Sequence, residues 1–386
     1  MPEQHAHYSA SHSHIWLNCS GALEAEAEFP NETSSFAEEG TTAHELAEIK
    51  LKLHFKQIKK TEYNKRLKAI KETEYYGEEM ESYIDDYVAF VIAKYATLED
   101  AEIHFEQRLD YSPWAKDGFG TGDVVMLSNG KFVIIDLKYG KGQKISADRN
   151  PQLMLYGLGL INVFEMIFEY GDIEMIINQP RLDHVSEYSM PVDDLLKWGD
   201  EVVKPAVEKM ESGDTELCTG DWCDKYFCKA RFICRARANE ALEVAKKNFK
   251  DPSLLDDEEV AEMLGKIDRI KTWCNNLEEW VTQQMLDGKH YDGYKLVEGL
   301  SKRKITDPDG LVKALVAQGF DEAVLYERSL LSMTNLEKVV GKKVFAEASQ
   351  GFIDKPKGKP KIAPADSDKP DYNAAANAAE AFKEWL

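Results

Sequence analysis

Asp123, Asp136 and Lys138 are the residues of this 386-residue chain whose types and spacing could do chemistry together. They lie in the stretch Thr121 to Tyr156, TGDVVMLSNGKFVIIDLKYGKGQKISADRNPQLMLY. Two β-like runs there are joined by Asn129-Gly130, the strongest short hairpin signal a sequence carries. Counting outward from that turn sets Ser128 against Lys131, Leu127 against Phe132, Val125 against Ile134 and Asp123 against Asp136. Lys138, two residues beyond Asp136, points to the same face. Like charges directly opposite destabilise a sheet, and a divalent cation between them removes the penalty. The arrangement therefore reads as a hydrolytic metal site. An Asp–Lys ion pair at a strand end is the other reading the hairpin allows.

Both faces of the hairpin are apolar. Val125, Leu127, Phe132 and Ile134 form one, and Val124, Met126, Val133 and Ile135 the other. Strands of this kind sit inside a sheet covered on both sides. Carboxylates at the end of such strands are costly unless paired or bound to a metal.

The elements around the hairpin must position these groups. Residues 35–54 read as an amphipathic helix whose apolar stripe runs through Gly40, Ala43, His44, Ala47 and Leu51. A second helix is expected over 78–97, a strand at about 102–109 and a third helix over 149–164. On that third helix Gln152 and Tyr156 are spaced i, i+4 and share a face. Strands near 173–179 and 186–190 and a helix at about 192–211 follow. The order α–β–β–β–α–β implies a mixed α/β core. Beyond residue 240 the pattern is mainly helical: 254–287 reads as one long helix or a helical pair, then a β-like piece, DGYKLVEGLSKRKI, then shorter helices. A Pro/Lys/Asp-rich linker over 354–373 and a short terminal helix with Phe382, Trp385 and Leu386 end the chain. Three regions are thus expected: 1–240 with the chemistry, 241–352 mainly helical, and 353–386.

Net charge is −21, from 48 Lys+Arg against 69 Asp+Glu, which taken alone argues against a nucleic-acid partner. The balance is uneven. Lys141, Lys144 and Arg149 follow the candidate site, and Lys225, Lys229, Arg231, Arg235 and Arg237 crowd a cysteine-containing segment. A basic channel in an acidic body fits this distribution. No apolar run reaches the roughly 18 residues of a membrane span. The N-terminus lacks a basic region followed by an apolar one, so a cytoplasmic protein is expected.

Of six cysteines, Cys218, Cys223, Cys228 and Cys234 cluster, while Cys19 and Cys274 stand apart. In a cytoplasmic protein such a cluster favours metal or iron–sulfur binding over disulfides.

Taken in order, His44, the TGD ending at Asp123, the IIDLK carrying Asp136 and Lys138, and the QLMLY carrying Gln152 and Tyr156 resemble the RecB-type branch of the PD-(D/E)XK nucleases over roughly residues 15–238. The resemblance implies a restriction-endonuclease-like core. It implies a Mg²⁺ or Mn²⁺ held by His44, Asp123, Asp136 and the Leu137 carbonyl, with Glu106 as an added carboxylate and Lys138 as catalytic lysine. Gln152 and Tyr156, with Lys141, Lys144 and Arg149, would contact DNA. Some members staple the nuclease domain with a [4Fe–4S] cluster, which maps here onto Cys19, Cys223, Cys228 and Cys234. The spacing departs from the usual pattern by two residues and Cys218 is additional, so Zn²⁺ is the alternative. The pieces NQPRLDHVS, GDWC…CKARFICRARA, YKLVEGLSKRK and DKPKGKPKIAP resemble phage-encoded nucleases. This implies an exonuclease processing DNA ends in phage recombination or replication, in the host cytoplasm, beside a single-strand-binding or annealing protein and away from any membrane. Two other classes remain open: a non-catalytic DNA- or partner-binding module that keeps the fold, and a zinc-containing assembly factor that binds protein.

Overall fold

The computed structural model describes residues 6–30, 35–164, 171–247, 257–297, 307–317, 333 and 340–349. The chain divides into two compact units, Met1–Asp287 and Gly288–Leu386. In the second unit, helices Pro308–Ala317 and Lys342–Ala348 are described. The expected linker over 354–373 and terminal helix lie outside the described residues. Residues 292–297, the described part of the β-like piece, contain no strand.

The first unit is built on a five-stranded sheet in the order β1 (Glu102–Asp110), β2 (Phe119–Ser128), β3 (Lys131–Leu137), β4 (Asp172–Gln179) and β5 (His184–Pro191). Neighbours are antiparallel except β3 and β4, which run parallel. A parallel pair needs a crossover, supplied here by the helix Pro151–Phe164. After two short helical turns, Ser13–Trp16 and Ala22–Glu26, the longer helices α1 (Ser35–His54), α2 (Lys60–Lys71) and α3 (Glu78–Tyr95) precede the sheet; the crossover is α4. After β5 the chain runs through α5 (Val192–Trp198), a π turn over Gly199–Val203 and α6 (Lys204–Glu211), so the expected helix 192–211 is a continuous path with one wide turn in it. Two helices, α7 (Arg235–Lys247) and α8 (Asp257–Leu286), close the unit.

The alternation along β2 and β3 divides the core in two. Val125, Leu127, Phe132 and Ile134 pack with α4, α5 and residues 8–16 on one face. Val124, Met126, Val133 and Ile135 pack with α1, α2 and α3 on the other. This is a mixed α/β core with a central sheet flanked by helices. The crossover lies very close to the sheet. A Cβ on Gly159 would fall 2.9 Å from the Leu109 backbone, and one on Gly120 would fall 2.4 Å from Tyr156 Cε1. Real Cβ atoms do not approach so near, so glycine at these positions is what lets α4 and its polar side chains press against β1 and β2.

Residues 8–26 are part of the fold. Tyr8, Ile15 and Trp16 are buried, and His12 pairs with the buried Glu26. Among the described residues no helix is long and apolar enough to cross a membrane.

Candidate metal centre

The site forms where three neighbouring strands reach one rung. In the β1–β2 ladder Phe105 pairs with Val124 and Gln107 with Gly122, which leaves Glu106 opposite Asp123 without a ladder partner. Glu106 holds a left-handed backbone, φ 52°, in the middle of its strand. For a non-glycine residue that conformation is strained, and such strain gathers at functional sites. The β2–β3 ladder follows the register counted from Asn129-Gly130 down to Val124–Ile135 and stops one pair before Asp123 and Asp136. The Asp123 carboxylate instead accepts the Leu137 backbone N–H at 2.7 Å. The backbone thus opens at the rung where three carboxylates meet.

From α1, His44 reaches this rung, with Nδ1 3.3 Å from Asp123 Oδ1. Among the described residues, His44, Glu106 and Asp123 are the group of three whose ligand atoms all lie within 4.8 Å of one another. An imidazole nitrogen with two carboxylate oxygens suits a divalent cation. Asp136 stands beside the group. Its Oδ1 accepts Gln152 Nε2 at 3.2 Å, and Lys138 Nζ lies 3.1 Å from its Oδ2. That buried Oδ2 has the Lys138 ammonium as its neighbour but no well-aligned hydrogen-bond donor. The donor set of His44, Glu106 and Asp123, with this incompletely satisfied oxygen beside it, fits a bound divalent cation. Leu137 enters through its N–H.

The electrostatics follow from crowding. Burial alone would lower the His44 pKa, but the Asp123 carboxylate outweighs it and holds the imidazole at about 9. Glu106, although exposed as a residue, is pushed up to about 7 by desolvation of its carboxyl and by the Asp123 charge. Burial raises Asp136 as well, opposed by Lys138 and reinforced by Asp123. Desolvation works against the Lys138 ammonium, yet Asp136 and Asp123 keep it charged and above its ordinary range.

Gln152 ties the centre to α4. It accepts from Lys138 Nζ at 3.1 Å, donates to Asp136, and contacts the Tyr156 hydroxyl at 3.1 Å. Asn150 caps this helix by accepting the Gln152 N–H at 3.1 Å. The loop between Lys138 and Asn150 is fastened to the sheet by Ile145 N–H on Gln179 and Ala147 N–H on Ser186. Lys141, Lys144 and Arg149 stand exposed along it, Lys141 3.8 Å from Glu79. In the cysteine segment Arg237 is buried in a two-point pair with Asp224, at 2.7 and 2.9 Å. That arginine is structural.

The cysteines correct an expectation. Cys19, Cys218, Cys223, Cys228 and Cys234 border a void of only about 10 Å³, lined otherwise by Arg231 and by apolar groups such as Ile15 and Leu217. That is about the room for one water, too small for a four-iron cube. Among the described residues the convergent ligand group is the one at His44, and no set of three thiols meets the same spacing. Burial pushes the thiols of Cys19, Cys223 and Cys228 up, which favours the neutral form. Neither a [4Fe–4S] cluster nor a zinc site is built from them; they pack as small apolar side chains. The literal PD-(D/E)XK spelling is not evident either, because Gly122 stands where the proline would be.

Glu106 enters the expected carboxylate set only through the family resemblance. Its strand alternation marks it only as a solvent-side residue, and the backbone kink that turns it toward Asp123 leaves no compositional sign.

The chain belongs to the DUF2800 family, described as a protein of unknown function, whose model matches residues 5–370. Among solved structures, one titled "Crystal structure of SSO0001" is similar at 13% identity with a TM-score of 0.23, over 58% of this chain and 96% of that one. A likeness of that size establishes no shared fold.

Proposed function

We propose that this chain is a divalent-metal-dependent deoxyribonuclease of the RecB type, with a restriction-endonuclease-like core, that hydrolyses phosphodiester bonds from DNA ends. The observation that carries the reading is the convergence of His44, Glu106 and Asp123 within 4.8 Å beside an Asp136–Lys138 pair. His44, Glu106 and Asp123 would hold the cation, with Asp136 Oδ2 adjacent. Bound there, a divalent cation supplies a lowered water pKa and neutralisation of charge on the phosphate.

The remaining work falls to the chain's own side chains. Hydrolysis joins a water oxygen to phosphorus and breaks the bond to the leaving oxygen, so negative charge grows on the phosphoryl group. Lys138, held cationic by two carboxylates, stabilises that charge where it develops. Gln152 fixes Lys138 and Asp136 against one another, which keeps the ammonium aimed rather than swinging on its four-carbon stem. Lys141, Lys144 and Arg149 line the approach and offer the salt-sensitive contacts a DNA backbone requires.

The test is degradation of end-labelled linear and covalently closed circular DNA with Mg²⁺, Mn²⁺ or EDTA, using wild type beside Asp136→Ala. Metal-dependent loss of linear DNA alone, absent in the variant, supports the proposal, and the label reports polarity. Intact DNA with wild type, or undiminished cleavage by the variant, overturns it.

A further inference from the structure

A second concave feature adjoins the metal centre and is not part of it. Residues around the start of α4 enclose a cavity of about 380 Å³ with His14, Lys225, Tyr226 and Trp198. That lies within the roughly 300–1,000 Å³ of small-molecule sites. The wall is assembled from four distant segments of the chain, so nothing in local sequence marks it.

Its chemistry is specific. The His14 and Tyr226 rings are stacked, with centroids 3.8 Å apart and planes at 7°. Burial, then the charges of Lys225 and Lys138, lower the His14 pKa to about 4, so the stacked pair is neutral near pH 7. Asn150 is hydrogen-bonded to that imidazole. Arg149 and Lys225 bring two cations, and among the described residues no carboxylate lies within ion-pair distance of either. Asp148 is the acidic residue on the wall. Arg149 is hydrogen-bonded to the Tyr188 side chain and Lys225 Nζ lies 5.4 Å from the Tyr226 ring centroid, so in a chain of net charge −21 both cations have polar or aromatic neighbours but no neutralising carboxylate, a setting that suits an aromatic anion. Arg149 also holds a left-handed backbone, φ 46°, at the turn that presents it.

The cavity is coupled to the chemistry. Asn150, on its wall, caps the helix that aims Gln152 at Asp136 and Lys138. We propose that this cavity receives one nucleotide of the DNA strand, with its base against the Tyr226 and Trp198 surfaces and its phosphate met by Arg149 and Lys225. Its placement next to the scissile phosphate rests on the nuclease reading; the pocket itself does not.

The experiment is calorimetric titration of full-length protein with dAMP, in EDTA and low salt, beside inorganic phosphate and beside DNA cleavage by the same preparation. Wild type and Asp123→Asn should bind dAMP alike. Arg149→Gln with Lys225→Gln should weaken binding at least about tenfold, as loss of charge-assisted phosphate contacts predicts. Arg149→Lys with Lys225→Arg should restore most of it, which separates charge from misfolding. Absence of dAMP binding by wild type overturns the pocket even if DNA is cleaved, whereas binding without cleavage keeps the pocket and removes only the nuclease reading. Binding lost in Asp123→Asn but intact in the double glutamine variant would move the nucleotide to the metal centre. Phosphate bound as tightly as dAMP would leave no role for the base and likewise overturn the proposal.

Discussion

Asp123 takes the Leu137 backbone N–H on its carboxylate at 2.7 Å, one pair beyond the last rung of the β2–β3 ladder. A side chain therefore does at this rung what a backbone carbonyl does at the rungs above it. The same carboxylate faces His44, so it serves the sheet with one oxygen and the candidate cation with the other.

Removing it should separate those two roles. Asp123→Ala leaves the Leu137 N–H without its acceptor and should cost about 1–3 kcal/mol of stability. Asp123→Asn can still accept that N–H and should unfold close to wild type in urea while failing to bind Mn²⁺. Equal destabilisation by both variants would count against the division.

Metal binding should be strongly pH-dependent. A cation needs neutral His44, whose pKa in the free protein is about 9, and ionised Glu106, whose pKa is about 7. Both protons must leave, so Mn²⁺ affinity should fall as pH drops from 8 to 6, by about tenfold per unit or more. Calorimetry in buffers of different ionisation enthalpy should register proton release on binding; a flat affinity profile would refute the ligand assignment.

The same histidine sets a stability window for the metal-free protein. Its folded pKa is raised above the ordinary 6.5, so its stabilising contribution is complete below about 6.5 and is lost as pH climbs through 9. His44→Gln should therefore be less stable than wild type at pH 6 and close to it at pH 10, measured by thermal unfolding in EDTA.

Gly120→Ala tests the close approach of α4. The new Cβ would lie 2.4 Å from the Tyr156 ring, so the tyrosine must shift and Gln152 with it. We expect about 1–3 kcal/mol of destabilisation together with a larger loss of cleavage rate than substitutions in exposed loops give. Unchanged stability and activity would show that the contact is not limiting.

Much of the sheet was legible because Asn129-Gly130 fixes a count. Once the turn is known, every partner down to Val124–Ile135 follows from a period of two. His44 stood out as a polar residue on an apolar helical stripe, but its grouping with Asp123 came only through the family resemblance; in the fold the two side chains meet at 3.3 Å. Legibility failed where geometry is created between segments. The strain at Glu106 arises from β1 meeting β2 and has no local signature. Helix α2, with Ile70 buried and Tyr63 and Leu67 only partly so among many charged residues, carries too weak an apolar stripe to announce itself. The cysteine spacing suggested ligands, but spacing along a chain says nothing of the room left between thiols, and here that room is about 10 Å³.

The leading segment touches the region after α6 at several backbone points. Gly21 N–H reaches the Glu216 carbonyl, Cys218 N–H reaches Cys19, and Lys229 N–H reaches Glu26. Topologically, residues 19–229 therefore form a noose drawn shut by its own two ends. A protease nick in an exposed stretch inside the noose, such as the loop carrying Lys141 and Lys144, would leave fragments that stay clasped and co-migrate until denatured. Deleting the first 30 residues would instead unclasp it, stripping partners from those backbone groups and baring the apolar core that Tyr8 and Trp16 cover. Such a truncated chain is expected to aggregate rather than to behave as a trimmed version of the same protein.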